Sequence, residues 1–214
     1  IGHGLGVTPD VWIVKQDNTG GDFQDWFFWH KDMAASNVVD NRMLFLNKSD
    51  AVGTYTGINA VTSSTIRVKS STTAQHGKTY CAYVFAEKQG YSKFGSYVGN
   101  GTGTSDGTFD GTFVYTGFKP AWVMVKRSSY SAGDGWEIWD STRPPRGGST
   151  TDGNYINNKL NAASTGAESG NVYDAVDFLS NGFKLRTGRA GTNASGSTYI
   201  YMAFAENPFV TSTG

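Results

Sequence analysis

The chain contains one internal duplication, and this repeat constrains the fold more than any other feature. The matched segments, which follow in the same order in both halves, are 6–15 with 117–126, 26–29 with 136–139, 66–70 with 183–187, and 79–87 with 198–206. Matched segments lie roughly 110 to 120 residues apart, and this distance grows along the chain. Repeated segments with variable spacers are typical of strands joined by surface loops. The sequence therefore predicts two related units, 1–90 and 91–214.

Composition indicates short strands connected by tight turns. The 214 residues include 28 Gly and only 5 Pro, and 14% of them are aromatic. Glutamate, a good helix former, occurs only at positions 87, 137, 168 and 206. This balance favours an all-β fold of two tandem, jelly-roll-like (lectin-like) β-sandwich units, which stand apart or share strands. A propeller or a solenoid would need more and shorter repeats.

Individual strands are predicted from β-branched and aromatic runs bounded by turn residues. The longest and most apolar runs, 79–87 and 198–206, are predicted to be central strands. Two more strands are predicted at 94–99 and 111–115, and we expect their counterparts for the first unit to lie upstream of the first residue. Residues 154–163 allow a short helix, but a strand competes because the aligned segment of the first repeat reads as a strand.

Charge and hydropathy disfavour two classes of partner. The formal net charge is zero, and the Lys and Arg residues are scattered singly. This argues against nucleic acid or an anionic membrane surface as the main partner. No apolar run approaches the ~20 residues that span a bilayer, so no membrane span is expected. No signal peptide is visible, and the absence of an initiator Met indicates a fragment or a processed product.

Cys81 is the only cysteine, so an intrachain disulfide is impossible. It lies within one of the two longest apolar runs, and Ile200 takes its place in the second copy. We therefore expect Cys81 to be a small buried residue.

Carboxylates give the only argument for catalysis, because glycosidases place two of them around the scissile bond. Glu87 and Glu206 end equivalent strands of the two repeats, which favours a structural role at a strand end. Glu137 with Asp140 or Asp134 is the one local pair that a polysaccharide depolymerase could use. The alternative interpretation is a solvated strand face. We predict no catalytic residues.

Metal and nucleotide sites have little support. His3, His30 and His76 lie far apart and lack zinc-ligand spacing, and His30 is interpreted as a polar cap at a strand end. Residues 106–111 carry Asp and Gly that a calcium loop would need, but the acidic ladder is incomplete and Asp-Gly turns are the commoner explanation. The glycines at 2–6 precede a strand and not a helix, so a phosphate loop is not expected. The sequence predicts neither a metal nor a cofactor.

Aromatic residues carry the ligand-binding prediction. The tryptophans and tyrosines are too many to be all in a core, and rings beside Asn, Asp and Ser are a common means of binding glycans. Trp136 and Trp139 lie beside Glu137 and Asp140, so stacking and hydrogen bonding to a sugar are predicted there. On a strand, Glu137 and Trp139 would share one face and Trp136 the other.

Several segments resemble repeat domains of phage structural proteins, many of them tail-fibre-like proteins of aquatic viruses. These segments are 1–6 with Pro9 and Lys15, 80–87, 90–101, 113–123, 177–186 and 199–209. The resemblance implies an extracellular virion component with lectin-like sandwich domains. Departures from the family pattern lie at 143–148 and 188–191, where loop variation would encode host specificity. Arg143 and Arg146 are therefore added to the predicted ligand-binding residues.

Three functions follow as hypotheses. The first is a non-enzymatic virion surface protein, a tail fibre or tail-attached adhesin that binds a host glycan or envelope protein. Its partners would be further copies of itself and other virion proteins. The second is a capsid decoration, head-fibre or other brace protein, whose aromatic patches would be buried in contacts. The third is a sandwich-fold polysaccharide depolymerase.

Overall fold

The structure is a computed structural model that describes residues 1–17, 25–33, 42–54, 61–68, 75–103, 110–129, 134–143, 155–170 and 175–209. In these ranges the chain is nearly all β, with one helical turn, α1 (Ala190–Asn193), and a 3₁₀ turn at Lys31–Met33. The strands are β1 (Val11–Gln16), β2 (Trp26–His30), β3 (Arg42–Phe45), β4 (Gly53–Thr54), β5 (Tyr80–Phe85), β6 (Ser92–Val98), β7 (Phe113–Tyr115), β8 (Pro120–Arg127), β9 (Glu137–Asp140), β10 (Tyr155–Ile156), β11 (Asn158–Asn161), β12 (Ser169–Gly170), β13 (Val176–Leu179), β14 (Gly182–Leu185) and β15 (Thr198–Ala205).

These strands form three antiparallel sheets. The repeat-1 sheet has the order β4-β3-β2-β1-β5, and the repeat-2 sheet has the order β12-β11-β9-β8-β15-β6. The third, or cover sheet, has the order β10-β13-β14-β7. The first five strands of the repeat-2 sheet match the repeat-1 sheet one by one. The duplication seen in the sequence is therefore also present in the strand order.

The pairing register repeats as well. Val11 pairs with Phe85 in the repeat-1 sheet, and the aligned residues Trp122 and Phe204 pair in the repeat-2 sheet. Equivalent residues consequently point to equivalent faces in the two sheets, because side chains alternate along every strand.

The repeat-2 sheet is the middle layer of the molecule and is buried on both faces. Val123 and Val125 of β8 pack with Phe183 and Leu185 of the cover sheet. Met124, between them in sequence, points the other way and packs with Phe28 of the repeat-1 sheet. Two hydrophobic cores thus flank one sheet, which makes an all-β sandwich of three layers.

Equivalent faces of the two repeats meet in the core between them. Ile13 and its counterpart Met124 both border this core. Contact between like faces is the arrangement that a two-fold relation gives, and stacking by translation would instead join unlike faces. Trp136 secures the contact, because its Nε1 donates to the carbonyl of Phe45 at 2.8 Å and its ring meets Phe28 edge-on at 4.5 Å.

Two buried basic side chains also cross between the repeats. The Nδ1 of His30 accepts from the Asp32 N–H at 3.1 Å, and its Nε2 lies 3.2 Å from the carbonyl of Tyr201. His30 is therefore the neutral tautomer with the proton on Nε2, and burial lowers its pKa to about 4. Lys126 donates to the carbonyls of Ser49 and Asp134 at 3.2 and 2.6 Å. Burial lowers the pKa of Lys126 to about 8.

The outer face of the repeat-1 sheet has a smaller cover. Its core contains Trp12, Val14 and Phe27 together with Ile66. Ile66 is held by isolated bridges, in which Val61 pairs with Ile66 and Thr65 with Gly2. The same position in the second repeat is a full strand, β14 of the cover sheet.

A buried asparagine organises the loops at one end of the second repeat. The side chain of Asn193, at the end of α1, accepts from the Asn100 N–H and Thr112 Oγ1 at 3.1 and 2.8 Å. The two hydrogens of its amide nitrogen are shared among the carbonyls of Thr102 and Thr187, at 3.1 and 2.7 Å, and Asn100 Oδ1, at 2.8 Å. Three separate loops are thereby fixed by one side chain.

Most strand predictions agree with the structure, and two predictions are wrong. Strands occupy the predicted positions near 94–99 and 111–115, and within the described residues 155–163 the chain forms β10 and β11 and no helix. β15 is central, but β5 lies at the edge of its sheet, contrary to prediction. Cys81 is exposed and not buried, contrary to prediction. Among the described residues, no helix has the length and hydropathy needed to cross a membrane.

Candidate functional site

Trp136 and Trp139 do not form the exposed aromatic surface expected of them. Only 1% of Trp136 and 0% of Trp139 is exposed. Trp136 belongs to the core between the repeats, and Trp139 to the core under the cover sheet. Both faces of β9 are internal, so a ring on either side of this strand is a core residue. The two tryptophans are therefore structural.

Glu137 is buried beneath α1. Its Oε2 lies 2.9 Å from Nζ of Lys159, which forms an ion pair with it. Asp134 lies beside it and pairs with Arg127 at 3.0 Å. A Cβ placed on Gly191 of α1 would lie 3.5 Å from Glu137 Oε1 and 3.9 Å from Asp134 Oδ1. Both carboxylates therefore face the helical turn, and each has its own cation.

Asp140 lies on the opposite face of β9 from Glu137, so these two carboxylates cannot flank one bond. Asp140 instead holds Arg143. Its Oδ1 accepts from the N–H groups of Thr142 and Arg143 at 3.0 and 3.1 Å, while its Oδ2 binds Nε of Arg143. Nη1 of Arg143 reaches Glu168 Oε2. We call Asp140, Arg143 and Glu168 the arginine cluster.

The arginine cluster is a fixed and permanently charged feature of the surface. The hydrogen bonds that Arg143 donates to Asp140 and Glu168 raise the pKa of Arg143 above its already high usual value. Its side chain is 27% exposed, and that of Glu168 is 36% exposed. The cluster thus offers a guanidinium and carboxylate oxygens in a set geometry. Arg146, the remaining predicted residue, lies outside the described residues.

A line of aromatic rings begins next to this cluster. Asp140 pairs with Trp122 across β9 and β8, and Trp122 pairs with Phe204 across β8 and β15. Residues directly opposite one another share a face, so the three side chains form a row across the sheet. The rings of Trp122 and Phe204 have centroids 5.6 Å apart.

The line continues onto the surface through Tyr91 and Phe209. Tyr91 meets Phe204 edge-on at 5.8 Å and stacks on Phe209 at 5.4 Å with an interplanar angle of 12°. Tyr91 is 40% exposed and Phe209 is 62% exposed. We call Tyr91, Trp122, Phe204 and Phe209 the aromatic rim.

The backbone of Phe209 is held in a strained conformation. Phe209 has a φ of 64°, in the left-handed region that bulky residues rarely occupy. Its N–H donates to the carbonyl of Gly90 at 3.0 Å, which ties the segment to the turn before β6. An exposed aromatic ring held in a strained conformation is typical of a functional surface.

The rim and the arginine cluster together suit a sugar. Aromatic faces pack against the C–H surface of a pyranose ring, while carboxylates and guanidinium groups bind its hydroxyls. Sequence reasoning found Asp140 and Arg143 but missed Trp122. The alignment of 11–13 with 122–124 is the signal that could have found it, because this alignment places Trp122 opposite Asp140. Phe209 had no such signal, because its contact with Tyr91 joins two distant turns.

The other acidic residues hold strand ends. Glu87 pairs with Lys31 at 3.3 Å and Lys93 at 2.5 Å, and Glu206 pairs with Lys119 at 2.9 Å. These contacts agree with the structural interpretation of both glutamates. Within the described ranges, no three His, Cys, Asp or Glu side chains are placed to hold a metal ion.

Comparison with protein families identifies relatives over almost the whole chain. Residues 1–208 match the family described as a domain of unknown function (DUF7483). The chain belongs to this family. No curated protein and no solved structure gives a significant match. The DUF7483 description assigns no activity, so the site itself must supply the argument for function.

Proposed function

We propose that this DUF7483 domain is a non-enzymatic module of a phage virion surface protein, a tail fibre or tail-attached adhesin that binds a host glycan. The observation that carries the proposal is the exposed Tyr91–Phe209 stack, which leads through Trp122 to the arginine cluster. The resemblance of the sequence to tail-fibre-like proteins supplies the virion context.

The chemistry of the rim supports binding without catalysis. A pair of stacked aromatic rings contributes about 0.5–1.5 kcal/mol beyond the area that it buries, and we expect a contribution of this order from each ring stacked on a sugar. A rim of this size therefore gives weak affinity per copy. Display of several copies on one particle would raise the avidity by roughly 10² to 10⁴. Self-association and contacts with other virion proteins belong to this proposal.

A glycan array of bacterial surface polysaccharides, probed with the intact chain, tests the proposal. For a glycan that binds, Tyr91→Ala and Phe209→Ala should each weaken the affinity about tenfold, which corresponds to about 1.4 kcal/mol. Tyr115→Ala is the matched control, because Tyr115 is equally an exposed ring, 62% exposed, but lies on the cover sheet. Failure to bind any glycan, or equal losses in all three variants, would contradict the assignment.

A brace protein of the capsid or tail is the second candidate. Val98, Phe113 and Tyr115 are 58%, 43% and 62% exposed on neighbouring edges of the repeat-2 and cover sheets. Thr112, which precedes Phe113, donates to the carbonyl of Val98 at 3.1 Å, so these residues are close. Such an apolar patch suits contact with a neighbouring subunit. An image of the particle at residue resolution separates the two candidates, because a brace buries this patch and an adhesin directs the rim outward.

The depolymerase hypothesis would rely on Glu137 with Asp134. Both carboxylates face Gly191, and each would have to exchange its present cation for a substrate contact. Glu137→Gln tests this directly on any glycan that the protein degrades. A variant that keeps full activity excludes Glu137 as a catalytic group.

A further inference from the structure

The two equivalent strands β5 and β15 differ in their neighbours. β15 pairs with β8 on one side and with β6 on the other. In the part of the chain that the structure describes, β5 pairs only with β1. One long edge of the repeat-1 sheet is consequently open, at the position that β6 fills in the second repeat.

The groups at this edge can be identified from the hydrogen bonds on the other side. The carbonyls of Thr79 and Phe85 accept from the N–H groups of Asp17 and Asp10 at 2.9 and 2.8 Å, so odd-numbered residues point to β1. Even-numbered residues of β5 therefore direct their N–H and C=O groups to the open edge.

The even-numbered residues are Tyr80, Ala82 and Val84. In the second repeat their counterparts Tyr199, Tyr201 and Ala203 pair with β6. The fold therefore already contains one example of an antiparallel strand added at this position.

The open edge lacks the features that normally block strand addition. β5 has six residues, YCAYVF, with no charge and no proline. Exposed edges in proteins usually carry a lysine, a proline or a bulge that prevents pairing with another chain. Cys81, Ala82 and Tyr83 are also exposed, so nothing in the described chain covers the middle of this strand.

The other described edges are closed or short. β6 carries Lys93, and its outer side is capped at both ends. The Ser92 N–H donates to the carbonyl of Lys88 at 2.9 Å, and Thr112 Oγ1 donates to the carbonyl of Val98 at 3.1 Å. β4, β7, β10 and β12 have only two or three residues. Among the described strands, β5 is thus the long edge that stays open, and a second copy of the chain offers the same edge.

We propose that two copies of this chain associate through β5 about a two-fold axis, so that their repeat-1 sheets join into one continuous antiparallel sheet. A two-fold axis pairs identical edges antiparallel, which is the geometry of an isologous dimer. Residues 79–86 carry no charge, so no like charges meet along the joined strands. The exposed Lys88 can point into solvent.

Sedimentation of the intact chain over about 1–100 µM tests the dimer, because interfaces of modest size dissociate in this range. The wild type should be a dimer at the higher concentrations. Ala82→Pro should shift it to monomer, because the lost N–H points to the open edge and not to β1. Val98→Pro, on the outer side of β6, is the matched control and should remain dimeric.

A second pair of variants does not depend on proline. Ala82→Lys brings two cations together across the axis and should raise the dissociation constant at least about tenfold, whereas Ser96→Lys on β6 should not. Amide exchange at Tyr80, Ala82 and Val84 should slow in the dimer. A monomeric wild type, a dimer unaffected by both Ala82 variants, or fast exchange at these amides in the dimer would overturn the proposal. Glycan binding is measured separately, so either proposal can fail alone.

Discussion

The indole N–H of Trp136, in the second repeat, donates to the backbone carbonyl of Phe45, in the first, at 2.8 Å. This contact joins two layers in a region without solvent. Trp136→Phe removes the donor and part of the ring, so the free energy of unfolding should fall by about 2–4 kcal/mol. Urea denaturation followed by circular dichroism measures this change. Trp122→Phe, at the half-buried rim, should cost about 1 kcal/mol or less. Equal losses in the two variants would mean that Trp136 does not secure the interface.

His30 should make the protein less stable in mild acid. Burial lowers its pKa to about 4, while the pKa in the unfolded chain is about 6.5. Between these two pKa values the unfolded chain binds a proton that the folded chain does not. The contribution of neutral His30 to the free energy of unfolding is therefore complete above pH 6.5 and falls as the pH decreases. The expected loss is about 3 kcal/mol over the whole window. Denaturation at pH 7.5 and 4.5 measures it.

His30→Gln is the control, since glutamine keeps a donor for Tyr201 but does not titrate. The slope between pH 7.5 and 4.5 should largely disappear in this variant. Asp32 acts in the opposite sense, because burial raises its pKa and its protonation at low pH favours the folded state. An unchanged slope in His30→Gln would assign the acid sensitivity to other groups.

Lys126 should make the free energy of unfolding depend on pH in the alkaline range. Burial lowers its pKa to about 8, so above this pH the folded protein releases a proton that the unfolded chain retains. The free energy of unfolding should therefore rise from pH 8 towards the usual lysine pKa. Buried Tyr97, whose pKa burial raises, opposes this above about pH 10, the usual tyrosine pKa, so pH 8–9.5 is the useful range. Lys126→Met should remove the rise, and a variant with the wild-type slope would contradict this explanation.

Asn193 should be unusually sensitive to substitution. Asn193→Ala removes the side-chain hydrogen bonds that join the loops containing Asn100, Thr112 and Thr187. Buried groups left without partners cost about 1–3 kcal/mol each, so a total loss of about 3 kcal/mol or more is expected. Thermal unfolding measures it, with the exposed Asn207→Ala as control. A loss below 1 kcal/mol, roughly the effect of a surface change, would show that water replaces the side chain.

The strands were predicted well from the sequence because each matched segment of the repeat supports the strand prediction made for its counterpart. The match of 11–15 with 122–126 locates β1 and β8, and the pairing register then follows from the repeat. The same sequence misplaced Trp136 and Trp139, since alternation along a strand indicates only one buried face. A middle sheet buries both faces, and this requires knowing that three sheets stack.

The sequence also could not predict which residues at the sheet edges are exposed. Cys81 aligns with Ile200, but Ile200 is buried in the core between the repeats, whereas Cys81 is exposed. The aromatic rim depends on Tyr91 and Phe209, which come together only when the turn before β6 meets the segment after β15. Neither pattern nor spacing marks such a contact.

The position of β15 in the middle sheet links folding to synthesis. This strand separates β8 from β6 and contributes Ile200 and Met202 to one core and Tyr199 and Tyr201 to the other. A nascent chain that stops before Thr198 can complete neither core, although it already contains most of both repeats. The two cores can therefore be completed only after this single late segment has been translated. Prematurely terminated chains should be degraded before they can join an assembly.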